Sequence, residues 1–281
     1  MKLTDFDVYR QLLLDQSGME IIPDQTYLLE SRLKPIAKKW GYPALSMMTM
    51  ALNGVPEPGL VDDIVEAMIN RDTAFFRDEK PFQSFKNDIL PIFIKARKRK
   101  KTIRVWCAGC SSGQEPYSLA IMFKELQQEY PNWKFQILAS DLSEDLLQQA
   151  TEGRYTQFEV QRGMPVQMLM KHFEQDDDKW QLKEDVRSYV TFYRNNLLNA
   201  DHKIDMFDVI FCRNVLGDFC PETRAKALSN ITAHLEKDGF MFFGADEDFT
   251  HDAILPISSE KSIFGRADGP HIDKKALATG T

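Results

Sequence analysis

Apolar positions recur at a helical period through the first hundred residues and then give way to short unbroken runs. Phe6, Tyr9, Leu12 and Leu13 predict an opening helix stopped at Gly18. A second, over about 25–40, places Leu28, Leu29, Leu33, Ile36, Ala37 and Trp40 on one broad face and leaves Arg32, Lys34, Lys38 and Lys39 mostly off it. Helices over 44–53, 60–69 and 81–98 follow, with Asn53-Gly54, Pro56 and Pro58 as breakers. From Thr102 the buried runs 103–108, 135–139, 190–193, 207–212 and 240–244 read as strands. Helical patterns alternate with them: 116–130 opens on Pro116, 143–153 opens on a capping serine, and 221–235 carries Leu228, Ile231 and Leu235 in register.

Nearly continuous apolar strands separated by amphipathic helices predict a parallel sheet covered on both faces. The fold class is therefore α/β: a helical N-terminal domain over 1–90, then a doubly wound domain over 91–281. Residues 154–190 interrupt the alternation. An aromatic and β-branched stretch (155–160), a helix opened by Pro165 (166–173), the turn Asp176-Asp177-Asp178 and the run 180–182 predict a small insertion, a hairpin with one helix. Gly265, Gly269, Pro270 and Gly280 suggest a last strand pair and a mobile end.

Charge divides the chain where the pattern does. The net charge of -7 splits into +2 over 1–101 and -9 over the remainder. This balance argues against general nucleic-acid binding and leaves a basic first part that can steer an acidic protein partner. The sharpest basic run, 95–101, reads as a helix C-terminus whose cations favour the dipole. No apolar run approaches the roughly 18 residues of a membrane span, and the acidic start does not resemble a signal peptide, so a soluble, cytoplasmic protein that is not membrane-inserted is expected. Four scattered cysteines suit a reducing compartment.

Candidate chemistry gathers at strand ends. The first strand runs into Cys107-Ala-Gly109-Cys-Ser-Ser-Gly113-Gln-Glu115-Pro116, a glycine turn opening a helix, where backbone N–H groups can meet a ligand. The dinucleotide fingerprint is not met, because only three residues separate Gly109 and Gly113 and no third glycine follows. Asp141, ending the second strand, sits where doubly wound folds bind ribose hydroxyls, with an N-terminal helix-cap neighbour as the simpler alternative. Cys107 and Cys110 lack two further zinc ligands at matching spacing, and Cys107 lies inside the strand rather than heading a helix, so neither metal nor redox chemistry is expected.

Three runs then point to one family. Arg71-Asp-Thr73-Ala-Phe75-Phe76-Arg77-Asp78, Val105-Trp-Cys-Ala-Gly-Cys-Ser-Ser-Gly-Gln-Glu115-Pro-Tyr-Ser118 and Phe207-Asp-Val-Ile-Phe-Cys-Arg213-Asn214-Val215 resemble, in order and spacing, the CheR family of chemotaxis protein-glutamate O-methyltransferases. The likeness runs from about Phe6 to Phe249. It implies S-adenosylmethionine as cofactor, S-adenosylhomocysteine as product, no metal, and a Rossmann-like class I methyltransferase domain with a small inserted β-subdomain, the irregular 154–190 stretch. The implied reaction, part of chemotaxis adaptation, makes methyl esters of glutamate side chains on the cytoplasmic helices of chemoreceptors, the methyl-accepting chemotaxis proteins.

Matched by position, the resemblance puts Thr73 and Arg77 at the methionine end of the cofactor, Glu115 toward its amino group and Asp141 on the ribose. Asn196, Leu197, Arg213 and Asn214 lie beside it, and Arg77 and Asn214 are the candidate catalytic residues. Arg32, Lys34, Lys38 and Lys39 would meet the acidic receptor helices, with an ordinary solvated helix face as the alternative. The turn 174–179 is short and acidic, so no C-terminal pentapeptide tether is expected to bind, and a monomer is expected. Three positions depart from the family's usual residues: Arg71 for asparagine, Asp218 for tyrosine, and Asp246 for serine before Glu247. They leave two alternatives open: a catalytically weakened S-adenosylmethionine-binding regulatory module, or a carboxyl methyltransferase for another protein.

Overall fold

The computed structural model describes residues 3–201, 203–258 and 262–270. The described chain forms two compact units. One holds the chain up to Asn70 together with Gly217–Lys226, and the other holds Arg71–Leu216 and the chain from Ala227 onward.

The first unit is helical. Helices Leu3–Ser17, Thr26–Lys39, Leu45–Leu52 and Leu60–Met68 follow the predicted periodicity to within a few residues. Gly18 ends the first with φ 78°, a left-handed conformation that suits glycine after a helix. Phe6, Tyr9, Leu13, Leu29, Leu33, Ile64 and Met68 fill its core. Gly217–Lys226 joins this unit through an antiparallel bridge between Met19 and Phe219 and through Thr223, whose hydroxyl donates to the Gly18 carbonyl.

The second unit is built on a seven-stranded sheet. In chain order the strands are β1 (Thr102–Ala108), β2 (Lys134–Asp141), β3 (Arg154–Thr156), β4 (Phe173–Asp176), β5 (Lys179–Leu182), β6 (Val190–Arg194), β7 (Phe207–Phe211), β8 (Leu235–Phe242), β9 (Ile254–Ser258) and β10 (Ile263–Arg266). The large sheet has the order β6-β2-β1-β7-β8-β10-β9. Its first five strands are parallel, and β10 pairs antiparallel with both neighbours. The chain leaves β1 toward β2 and β6, then returns to β7 on the other side, so the order reverses between β1 and β7. That reversal is where open α/β sheets hold ligands, at the carboxyl ends of the strands.

Aromatic side chains make the core continuous. Phe211 and Phe242 stack at 4.6 Å, and Phe85 meets both edge-on. Phe85 lies on the helical stretch 80–96, which also buries Phe82, Ile89, Leu90 and Phe93 in this core. Phe85–Ile89 widens to a π turn ahead of Pro91, which has no N–H to give a regular helix. The basic run past Ala96 is partly structural, because Arg97 spans Asp208 and Asp238 at 2.8 and 2.6 Å.

Two local expectations need correction. Leu235 does not end the helix, which closes at Thr232; it opens β8 opposite Phe207, since a fully buried leucine fits either pattern. The insertion is more than a hairpin with one helix. β3 adds to the β4–β5 hairpin as a three-stranded antiparallel sheet of order β3-β5-β4, with short helices Gln157–Gln161, Val166–His172 and Glu184–Arg187. Phe173 starts β4, and Val190 already belongs to the large sheet. The expected last strand pair is β9 and β10. The mobile end expected at the C-terminus lies outside the described residues.

Candidate functional site

The parallel register brings the strand ends level. Ala108 lies opposite Ser140, Ser140 opposite Tyr193, and Cys107 opposite Phe211. The segments leaving β1, β2, β6, β7 and β8 therefore emerge on one edge. Thr73 and Arg77 reach the same unit on the segment before the 80–96 helix, anchored by the fully buried Phe75, whose ring packs against Tyr155 and Phe173.

The glycine turn is shaped by its protein neighbours. Gly109 and Gly113 take φ 80° and 95°. A Cβ on Gly109 would overlap Val215, and one on Gly113 would lie 2.9 Å from the Ala150 methyl. Glycine is needed here because the turn after β7 and the helix after β2 close directly upon it. Close packing alone therefore requires glycine at both positions. Tyr155 adds a clamp by donating its phenol hydrogen to the Ser112 carbonyl at 2.8 Å.

Asp141 is buried, and its carboxylate accepts from the amides of Ser111 at 2.8 Å and Ser143 at 3.0 Å. Its two oxygens are thereby fixed in direction beside the turn. Ser143 caps the next helix by accepting from the Leu146 amide, so Asp141 has the N-cap neighbour role. Half-buried Asn196 accepts the Leu198 amide at 3.0 Å, and the Leu197 carbonyl is held by Asn230.

Arg213 is the hub. Its side chain is 1% exposed and reaches Glu115 at 2.9 Å, Asp78 at 2.6 Å and the Arg77 carbonyl at 3.0 Å, with its guanidinium over the Phe82 ring. Burial raises the Glu115 carboxyl above the usual range; Arg213 and more distant Arg77 pull it down, and Glu247 pushes it up. Oε2 of Glu115 carries the Arg213 bond, while Oε1 has no hydrogen-bond partner among the described residues. Arg77 itself turns to Asp72, which also takes Arg162 from beyond the Gln157–Gln161 helix.

A family model described as CheR methyltransferase, SAM binding domain, matches residues 71–262. The chain belongs to the CheR methyltransferase family. It is 33% identical over 247 residues to chemotaxis protein methyltransferase Cher2 of Pseudomonas putida, covering 86% of this chain and 90% of that one. Chemotaxis protein methyltransferase 1 of Pseudomonas aeruginosa is 34% identical, with coverage of 86% and 89%. Among solved structures, a glycopeptide N-methyltransferase, MtfA, complexed with sinefungin, aligns over 63% of this chain and 52% of its own at 11% identity and a TM-score of 0.38.

By its strand order and its family, this CheR methyltransferase has a Rossmann-like α/β domain, a helical N-terminal region and an inserted β-sheet. Among its described residues no helix is long and apolar enough to cross a membrane, and no three His, Cys, Asp or Glu side chains gather as a metal set. Cys107, Cys110 and Cys212 are buried free thiols, and burial pushes each well above the ordinary thiol range. The basic face in the helical unit is partly committed: Arg32 holds the Met68 carbonyl at 2.7 Å, Lys39 pairs with Asp63 at 2.6 Å, Lys34 lies 3.3 Å from Glu30, and Lys38 is exposed. Asp218 and Asp246, at two of the departing positions, are exposed. Position 247 went unselected by spacing, yet the Glu247 carboxylate is buried and takes the amides of Asn214 and Gly244. Its one sequence signal was its place in the Asp246-Glu247 pair after β8.

Proposed function

We propose that the protein methylates glutamate side chains on the cytoplasmic helices of chemoreceptors, using S-adenosylmethionine. The observation that carries this reading is the pair of carboxylates, half-buried Glu115 and buried Asp141, flanking one glycine turn where the strand order reverses. Their chemistry fits an adenosyl amino acid. The free Oε1 of Glu115 accepts from an ammonium, and Asp141, its direction set by two amides, accepts from a diol. Arg77 would read the cofactor's carboxylate as a fork, with Thr73 beside it. Asn196, Leu197 and Asn214 line the adenosyl side, and Arg213 acts mainly by holding Glu115.

When bound, the cofactor supplies a methyl carbon whose bond to sulfur breaks, the electron pair leaving with sulfur, as an oxygen of the acceptor carboxylate bonds to it. The acceptor glutamate is ionised at neutral pH and needs no base to remove a proton. The protein's part is orientation and exclusion of water. Arg213 opposes the protonation that desolvation favours in Glu115, and the exposed Lys34, Lys38 and Lys39 supply the cationic face for acidic receptor helices.

Transfer of radiolabelled methyl to chemoreceptor cytoplasmic fragments tests the reading. We expect label that base releases as methanol. Base-stable label, or none with any receptor fragment, would overturn it, and tight S-adenosylhomocysteine binding without transfer would favour the regulatory-module alternative. The β4–β5 turn contains only Asp177 and Asp178, with Asp177 at φ 54°, so a calorimetric titration with a receptor C-terminal pentapeptide is expected to show no tight binding.

A further inference from the structure

We infer that Glu247 is a positioning residue for this reaction, acting through Asn214; the inference rests on the function proposed above. A single oxygen of its carboxylate, Oε2, accepts the Asn214 amide at 2.7 Å and the Gly244 amide at 2.8 Å. The side chain therefore staples the segment leaving β7 to the segment leaving β8, at the edge where the cofactor residues gather. Glu247 is only 7% exposed, so its bonds to these two backbone donors are shielded from solvent.

The staple matters because of the conformation it holds. Asn214 sits at φ 58°, a left-handed conformation that costs a residue with a Cβ free energy, less for asparagine than for most, and that persists where its surroundings hold it. That single reversal lets Arg213 point inward to Glu115 and Asp78 while the Asn214 side chain turns toward Gly244. There is no slack: a Cβ on Gly244 would lie 2.7 Å from Asn214 Nδ2 and 2.9 Å from Glu247 Oε2. Glutamate has the required reach and aspartate falls a methylene short. Glutamine keeps an acceptor oxygen at the same reach but carries no charge, so it separates geometry from electrostatics.

The test uses full-length protein carrying Glu247→Gln, Glu247→Asp or Glu247→Ala. In the cofactor-free proteins, hydrogen exchange at the amides of Asn214 and Gly244 is expected to be slow in the wild type and Glu247→Gln, and at least tenfold faster in Glu247→Ala. Methyl transfer, assayed well below each variant's Tm, is expected to lose at least tenfold in kcat for Glu247→Ala, with Glu247→Gln restoring most of it and the KM for the receptor fragment little changed. Should the alanine variant not fold, Glu247→Asp carries the same expectations. Unchanged exchange at both amides, or faster exchange with wild-type kcat, would overturn the inference while leaving the proposed function standing. A folded Glu247→Gln as impaired as Glu247→Ala would also overturn it, because charge rather than position would then be the cause. Wild-type protein that neither binds S-adenosylhomocysteine nor transfers methyl would instead defeat the functional reading itself.

Discussion

Burying Glu115 beside Arg213 gives the site a defined response to acid. Desolvation raises its carboxyl above the ordinary range despite the opposing pull of Arg213. For an acid whose folded value lies above its unfolded one, the protonated form is favoured in the folded protein. Its contribution to stability is therefore present below the unfolded pKa of about 4.3 and is lost as pH rises through the raised value. Ligand binding runs the other way, since an ammonium group needs the ionised carboxylate. S-adenosylhomocysteine affinity, followed calorimetrically, is expected to fall on acidification beginning above the normal carboxylate range, and Glu115→Gln to be weak and flat across the same interval. A wild-type profile as flat as the variant's would mean Glu115 does not face the ammonium. Asp141→Asn puts an amide NH2 where a backbone amide now donates, at a cost of about 1–3 kcal/mol, so affinity should drop about tenfold or more. Both carboxylates were legible in the sequence, Asp141 from its strand-end position and Glu115 from its family motif. Glu247, Asp78 and Tyr155 were not, because each acts on main-chain atoms or on Arg213 through contacts between distant segments that spacing does not encode.

At the scale of elements, the turn between β1 and its helix is as much a packing joint as a binding loop. Gly109→Ala would impose a left-handed conformation on alanine and drive its methyl into Val215, so a loss of about 2–3 kcal/mol is expected, read as a lowered Tm. Adding Val215→Ala should return part of it by removing the overlap, leaving the backbone cost; a double variant no more stable than Gly109→Ala alone would show that the contact is not the cause. The inserted sheet is joined to the same turn through Tyr155, which packs on Phe75 and bonds the Ser112 carbonyl. Tyr155→Phe keeps the ring and strands that buried carbonyl, so a stability loss of about 1 kcal/mol is expected in chemical denaturation, with a weaker hold on the cofactor. The central strands were readable because burial on both faces leaves unbroken apolar runs. β4 was not, since Glu174, Gln175 and Asp176 face solvent and leave no such run, and Leu235 misled because one buried leucine is compatible with either period.

At the scale of the whole chain, sequence order and compactness do not coincide. The chain passes from one unit to the other after Asn70, back after Leu216 and again after Lys226. A reading by composition sees the change of period near residue 100, but the 80–96 helix buries its phenylalanines against the sheet, and the short stretch from Gly217 packs with the helices far upstream. That return is fixed by contacts no local pattern announces: the Glu20 amide donates to the Asp218 carbonyl at 2.8 Å, Thr223 donates to Gly18, and Phe219 and Cys220 are buried. A truncated chain beginning at Arg71 would retain every residue proposed for the cofactor while removing the partners of this stretch. Phe219 would be exposed. The truncated protein is therefore expected to melt lower than the full chain and to bind more of a fluorescent dye for exposed apolar surface. Equal Tm and dye binding in the two proteins would show instead that Gly217–Lys226 holds its place without the helices.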